Sequence, residues 1–100
     1  MKADERKVFT EAIAKYGEDE QMRIAQEECA ELIQAISKYH RAQSNPDGRY
    51  LERAKDNLIE EIADVSIMVD QLKLMVKGSH TEMRAARVQR LAIRMKGERR

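Results

Sequence analysis

Tryptophan is absent from this chain, and phenylalanine, proline and cysteine each occur once. With so few aromatic and β-branched residues, a sandwich or barrel of strands is a poor expectation. A single proline leaves long stretches without a helix breaker. The lone cysteine, Cys29, cannot form an internal disulfide, which agrees with a reducing, cytoplasmic setting. No histidine stands near it in sequence to activate it, so it reads as a small packing residue and not a nucleophile. No apolar run approaches the roughly 18 residues needed to cross a bilayer. The opening Met1-Lys2-Ala3-Asp4-Glu5-Arg6 lacks the apolar centre of a signal peptide, so no membrane partner is expected.

What is present is charge on an apolar background. Charged residues make up 37% and apolar residues 42% of 100 positions, which suits one domain, residues 1–100, built of helices with solvated faces. The net charge of +1 conceals a polarity. Residues 81–100 carry seven bases (Arg84, Arg87, Arg90, Arg94, Lys96, Arg99, Arg100) against two acids, so they net +5 and the first eighty residues net −4. An acidic front and a basic C-terminal helix and tail can serve one site for a metal and a polyphosphate. No aromatic residue interleaves the tail arginines, so a nucleic-acid partner is not expected.

The apolar spacing predicts helices over residues 3–16, 18–41, 50–77 and from about 80 to 96. Gly17 stops the first, and Glu18-Asp19-Glu20 suits the positive end of the second. Ala42-Gln43-Ser44-Asn45-Pro46-Asp47-Gly48 reads as the turn that makes the two long helices antiparallel. Ser79-His80-Thr81-Glu82 has the S-x-x-E form of a capping box. Ile24, Leu32, Ala35, Ile36 and Tyr39 form the stripe of the second helix. The main stripe of the third is Leu51, Ala54, Leu58, Ile62, Val65, Val69, Leu72 and Val76, with Ile59, Ile67 and Leu74 off it. A helix apolar on more than one side is expected to face another subunit. The fold class expected is all-α, a bundle of about four helices with two long antiparallel central ones, completed by oligomerisation into a homodimer or tetramer.

Two acid pairs interrupt these stripes. Glu28 and Glu31 stand three apart on the second helix, as do Glu61 and Asp64 on the third, so each pair leaves one helical face. Two bare carboxylates about 4 Å apart repel by roughly 4 kcal/mol at an effective dielectric near 20. A divalent cation between them removes that cost. Four carboxylates with no thiolate or imidazole make a hard oxygen site, suited to Mg²⁺ or Mn²⁺. A di-iron bundle requires Glu-x-x-His pairs, and the residues three before His40 and His80 are Ser37 and Lys77. Such Mg²⁺ sites commonly bind substrate phosphates, so attack on a nucleotide polyphosphate is the reaction class suggested.

The run Glu27-Glu28-Cys29-Ala30-Glu31-Leu32-Ile33, then Asn57-Leu58-Ile59-Glu60-Glu61-Ile62-Ala63-Asp64-Val65, resembles the MazG-type nucleotide pyrophosphohydrolases, most closely their short phage- and prophage-associated members. The resemblance spans about residues 15–77 and rests on E-E-x-x-E joined to E-x-x-D. It implies an all-α enzyme that hydrolyses a nucleoside triphosphate to a monophosphate and pyrophosphate. It further implies Glu28, Glu31, Glu61 and Asp64 as Mg²⁺ ligands, with Glu27 binding metal or orienting water beside Glu28 and Glu61 in the catalytic group. Lys38, Arg87 and Arg90 become candidates for the phosphates, and Asn57 for base or ribose. The alternative is a non-enzymatic module of the same fold that holds metal or nucleotide for regulation.

Overall fold

The computed structural model describes residues 1–98, so Arg99 and Arg100 of the basic tail lie outside the described residues. Four helices make up the fold: α1 (Ala3–Tyr16), α2 (Glu18–Ala42), α3 (Gly48–Met75) and α4 (His80–Gly97). No strand occurs among the described residues. The architecture is the all-α bundle that the periodicity predicts.

The helix ends follow local chemistry. Glu5 accepts a hydrogen bond from the Lys2 backbone N–H at 3.0 Å, closing the first turn of α1. Gly17, at φ 93°, turns the chain between α1 and α2 and donates its N–H to the Ile13 carbonyl at 2.9 Å. Glu18, Asp19 and Glu20 fill the first turn of α2, as the dipole favours. Asp47 caps α3 by accepting from the Arg49 N–H at 3.0 Å, so that helix begins two residues before the expected Tyr50. It ends at Met75 and not Lys77, because Val76 turns extended. The capping box expected at Ser79 does not form: its side chain makes no capping bond.

α2 and α3 form an antiparallel hairpin, α1 touches both, and α4 packs against no other helix beyond a marginal contact. The buried side chains include the small Ala25, Ala35 and Ala42 of α2 and Met68 of α3. Phe9 anchors α1. Gln21 and Gln71 are buried as well, and Gln71 Oε1 has no hydrogen-bond partner.

The apolar stripe of α3 is covered only in part. Leu51, Ala54, Leu58, Val65 and Leu72 are half-buried and Met68 and Gln71 beside them are buried, whereas Ile62, Val69 and Val76, spaced by seven, are 54%, 40% and 52% exposed. On α2 the row Cys29, Ile33 and Ile36 is likewise exposed, although Ile36 was expected inside. At about 100° per residue, both rows fall on one side of the antiparallel pair, and the acids open on the other. No residue of α4 is buried, and Met83, Val88, Leu91, Ile93 and Met95 all meet solvent.

The chain is therefore extended for its size. Its radius of gyration is 17.3 Å, where a compact 100-residue domain has about 13 Å. Its accessible surface is 8230 Å², against about 5,800 Å² for a folded monomer of this mass.

Candidate metal centre and adjoining cleft

The hairpin brings the two acid pairs together because the turn at residues 43–47 sets Glu31 of α2 beside Glu61 of α3. Glu28 and Glu61 are half-buried, and Glu31 is exposed at the mouth. One carboxylate oxygen from each of the three lies within 4.8 Å of the others. Oε2 of Glu28 and Oε2 of Glu61 are buried and have no hydrogen-bond partner. Unpaired buried acceptors carry a desolvation cost that a proton or a cation would relieve.

The electrostatics agree. Loss of water, then the charges of Glu31, Asp64 and Glu61, push the Glu28 carboxyl up to about 7. Loss of water, then Glu31, also raises Glu61. Asp64 is exposed and stays outside the group of three, although its charge reaches both Glu28 and Glu61. The expected set of four is thus three gathered acids with the fourth at their edge.

These residues fit a divalent cation. They offer oxygens alone, and two of those oxygens are buried without partners. Oxygens on opposite sides of one Mg²⁺ stand about 4 Å apart, so small side-chain adjustments would close the set.

Glu27 stands apart. It is exposed and paired with Arg23, which also holds Glu20. Lys38 and Asn57 do join the acids, lining with Glu31 and Glu61 a cleft of about 240 Å³. Arg87 and Arg90 are exposed on α4 and line neither this cleft nor the next.

A second cleft of about 420 Å³ adjoins the first through Lys38 and Asn57 and is lined further by Arg41, Asn45, Tyr50 and Arg53. Arg41 lies in the last turn of α2 and Tyr50 in the first turn of α3, on either side of the connection at residues 43–47. The individual roles of Arg41, Tyr50 and Arg53 escaped the sequence reading, yet a signal exists. Lys38 and Arg41 stand three apart, and Tyr50, Arg53 and Asn57 follow i, i+3, i+7, so each set shares a helical face.

Comparison with known protein families, with curated proteins and with solved structures finds no match to this chain.

Proposed function

We propose that this protein is a Mg²⁺-dependent nucleoside triphosphate pyrophosphohydrolase, converting a ribo- or deoxyribonucleoside triphosphate to the monophosphate and pyrophosphate. The observation that carries the reading is the meeting of Glu28, Glu31 and Glu61, two of them with buried unpartnered oxygens, beside clefts lined by Lys38, Arg41 and Arg53. The likeness of both acid segments to the MazG-type enzymes supports it. Glu28, Glu31 and Glu61 would hold the ion, with Asp64 at their edge as the fourth candidate ligand. Mg²⁺ there, or Mn²⁺ in its place, supplies an acidified water and charge compensation for the anhydride oxygens. Lys38 pairs with the phosphates and Asn57 bonds the ribose or base. The water oxygen forms a new bond to phosphorus as the α–β bridging bond breaks, pyrophosphate leaves with the bonding electrons, and the water proton passes to a carboxylate of the cluster.

The working unit is a homodimer or tetramer in the cytoplasm. The chain exposes roughly 2,400 Å² more than a compact monomer of its mass, within the range that obligate interfaces bury. In such an assembly Arg87 and Arg90 reach the phosphates only if α4 packs differently or comes from a neighbouring copy.

The test is pyrophosphate release from a panel of nucleoside triphosphates with and without Mg²⁺. Metal-dependent release from one or more supports the enzyme. Silence from folded, metal-binding protein favours a non-enzymatic metal- or nucleotide-binding module. One observation points toward that second reading: Arg23 ties up Glu27, the acid that would orient water.

A further inference from the structure

The larger cleft holds three bases and no acid among its lining residues. Lys38 and Arg41 come from α2 and Arg53 from α3, so the cations face one another across the end of the hairpin. Among the described residues none of the three forms an ion pair, whereas Arg23, Arg49 and Arg94 each do. Asp47 lies within reach of the Arg53 charge, but its carboxylate is occupied by Arg49, with Nη2 to Oδ2 at 2.8 Å and Nε to Oδ1 at 3.1 Å. The charge of Arg53 reaches it only as the last of the influences on Asp47. The Arg53 guanidinium lies 5.3 Å from the Tyr50 ring centre, a cation–π contact that orients it without neutralising it. Three cations outside any ion pair, of which Arg41 and Arg53 stand clear of the acid cleft, focus a positive potential in this concavity.

The position of this cleft gives the charge a meaning. It shares Lys38 and Asn57 with the acid cleft, so a ligand whose anhydride sits at Glu28, Glu31 and Glu61 extends one of its ends into it. A nucleoside end carries no charge and would leave the three bases unpaired. A pyrophosphate end carries several negative charges and accepts hydrogen bonds from guanidinium groups in paired geometry.

We propose that the cleft of Lys38, Arg41 and Arg53 is a metal-independent phosphate subsite that holds the two terminal phosphates, the leaving pyrophosphate, with the nucleoside directed away from it; Asn57, which lines this cleft too, then meets phosphate in place of the ribose or base. The identity of the bound group as a leaving group rests on the pyrophosphohydrolase reading. The affinity of the cleft for a polyphosphate does not.

The experiment is calorimetric titration of inorganic tripolyphosphate into the full chain in EDTA, for wild type, R41A, R53A and the double variant. Both arginines are exposed, and circular dichroism checks that the helices persist. Each single change is expected to weaken binding about tenfold and the double change about a hundredfold, with R53K recovering part of the loss. Absence of metal-free binding, or equal binding by wild type and double variant, overturns the subsite. Product inhibition then tests the orientation. In R41A and R53A, inhibition by pyrophosphate should fall while inhibition by the nucleoside monophosphate holds, and the reverse pattern overturns the placement. If no triphosphate is hydrolysed yet tripolyphosphate binding depends on the arginines, the enzymatic reading fails and the phosphate subsite stands.

Discussion

Glu28 of α2 and Glu61 of α3 meet across the hairpin, each with its Oε2 atom buried and without a hydrogen-bond partner. Loss of water and then the charge of Glu31 raise both carboxyls, and no base of the described residues lies in an ion pair with either. A pair of this kind is a liability in the metal-free chain and an asset once a cation is bound.

Replacing Glu61 by Gln removes one of the crowded charges and a proposed metal ligand together. Turnover in the pyrophosphate-release assay should fall by at least about a hundredfold, while the far-ultraviolet helix signal is retained. The metal-free variant should melt no lower than wild type, because a like charge beside Glu28 and Glu31 has gone. Wild-type activity in E61Q would remove the acid cluster from the mechanism.

The Glu28 carboxyl, pushed up to about 7 in the fold from an ordinary 4.5, gives the metal-free protein a defined pH response. The folded state then binds the proton more tightly than the unfolded state. Its contribution to stability is full below about pH 4.5, declines as pH rises, and is lost above about 7. Melting in EDTA should drop between pH 5 and pH 7.5, and E28Q should flatten that drop. Added Mg²⁺ should raise the wild-type melting temperature more at pH 7.5 than at pH 5, since the ion and the proton compete for the same oxygens. A melting temperature in EDTA that climbs over this range in wild type but not in E28Q would contradict the assignment.

Gln71 is 5% exposed and its Oε1 is unsatisfied. Leucine at this position removes a buried unpaired acceptor at similar volume, so Q71L should stabilise the chain by about 1 kcal/mol. Urea unfolding followed by circular dichroism reads the change. A loss of similar size would mean that the amide is bonded in solution.

The exposed row Ile62, Val69 and Val76 predicts self-association through the apolar side of the hairpin. Sedimentation should give at least a dimer for wild type and a monomer for I62K/V69K, with a lower melting temperature as the interface is lost. A monomeric wild type would remove this side of the hairpin as an interface between copies.

Much of this molecule was legible in its residues. Gly17, the acids after it and the Asn45-Pro46-Asp47-Gly48 turn place the helix boundaries to within about two residues, because caps and turns are decided locally. The pairs Glu28/Glu31 and Glu61/Asp64 stand out for the same reason: helical spacing alone puts each pair on one face. The failures are equally specific. The main apolar stripe of α3 is covered at Leu51, Ala54, Leu58, Val65 and Leu72 but exposed at Ile62, Val69 and Val76, and the residues buried outright are Met68 and Gln71 beside it. The stripe records that a surface is apolar, not which neighbour covers it.

Composition, periodicity and turn chemistry thus determined that the chain is all-α, where its helices begin and end, and that two acid pairs break their apolar faces. The tertiary structure decided which three acids meet, that Asp64 stays at their edge, that Glu27 turns to Arg23, and that Arg41, Tyr50 and Arg53 build a basic cleft next to them. The reason is one of range. Local energies fix φ, ψ and spacing within a helix, whereas the rotation of α2 against α3 depends on packing between residues far apart in the chain, in which Ala25, Ala35 and Ala42 of α2 become buried.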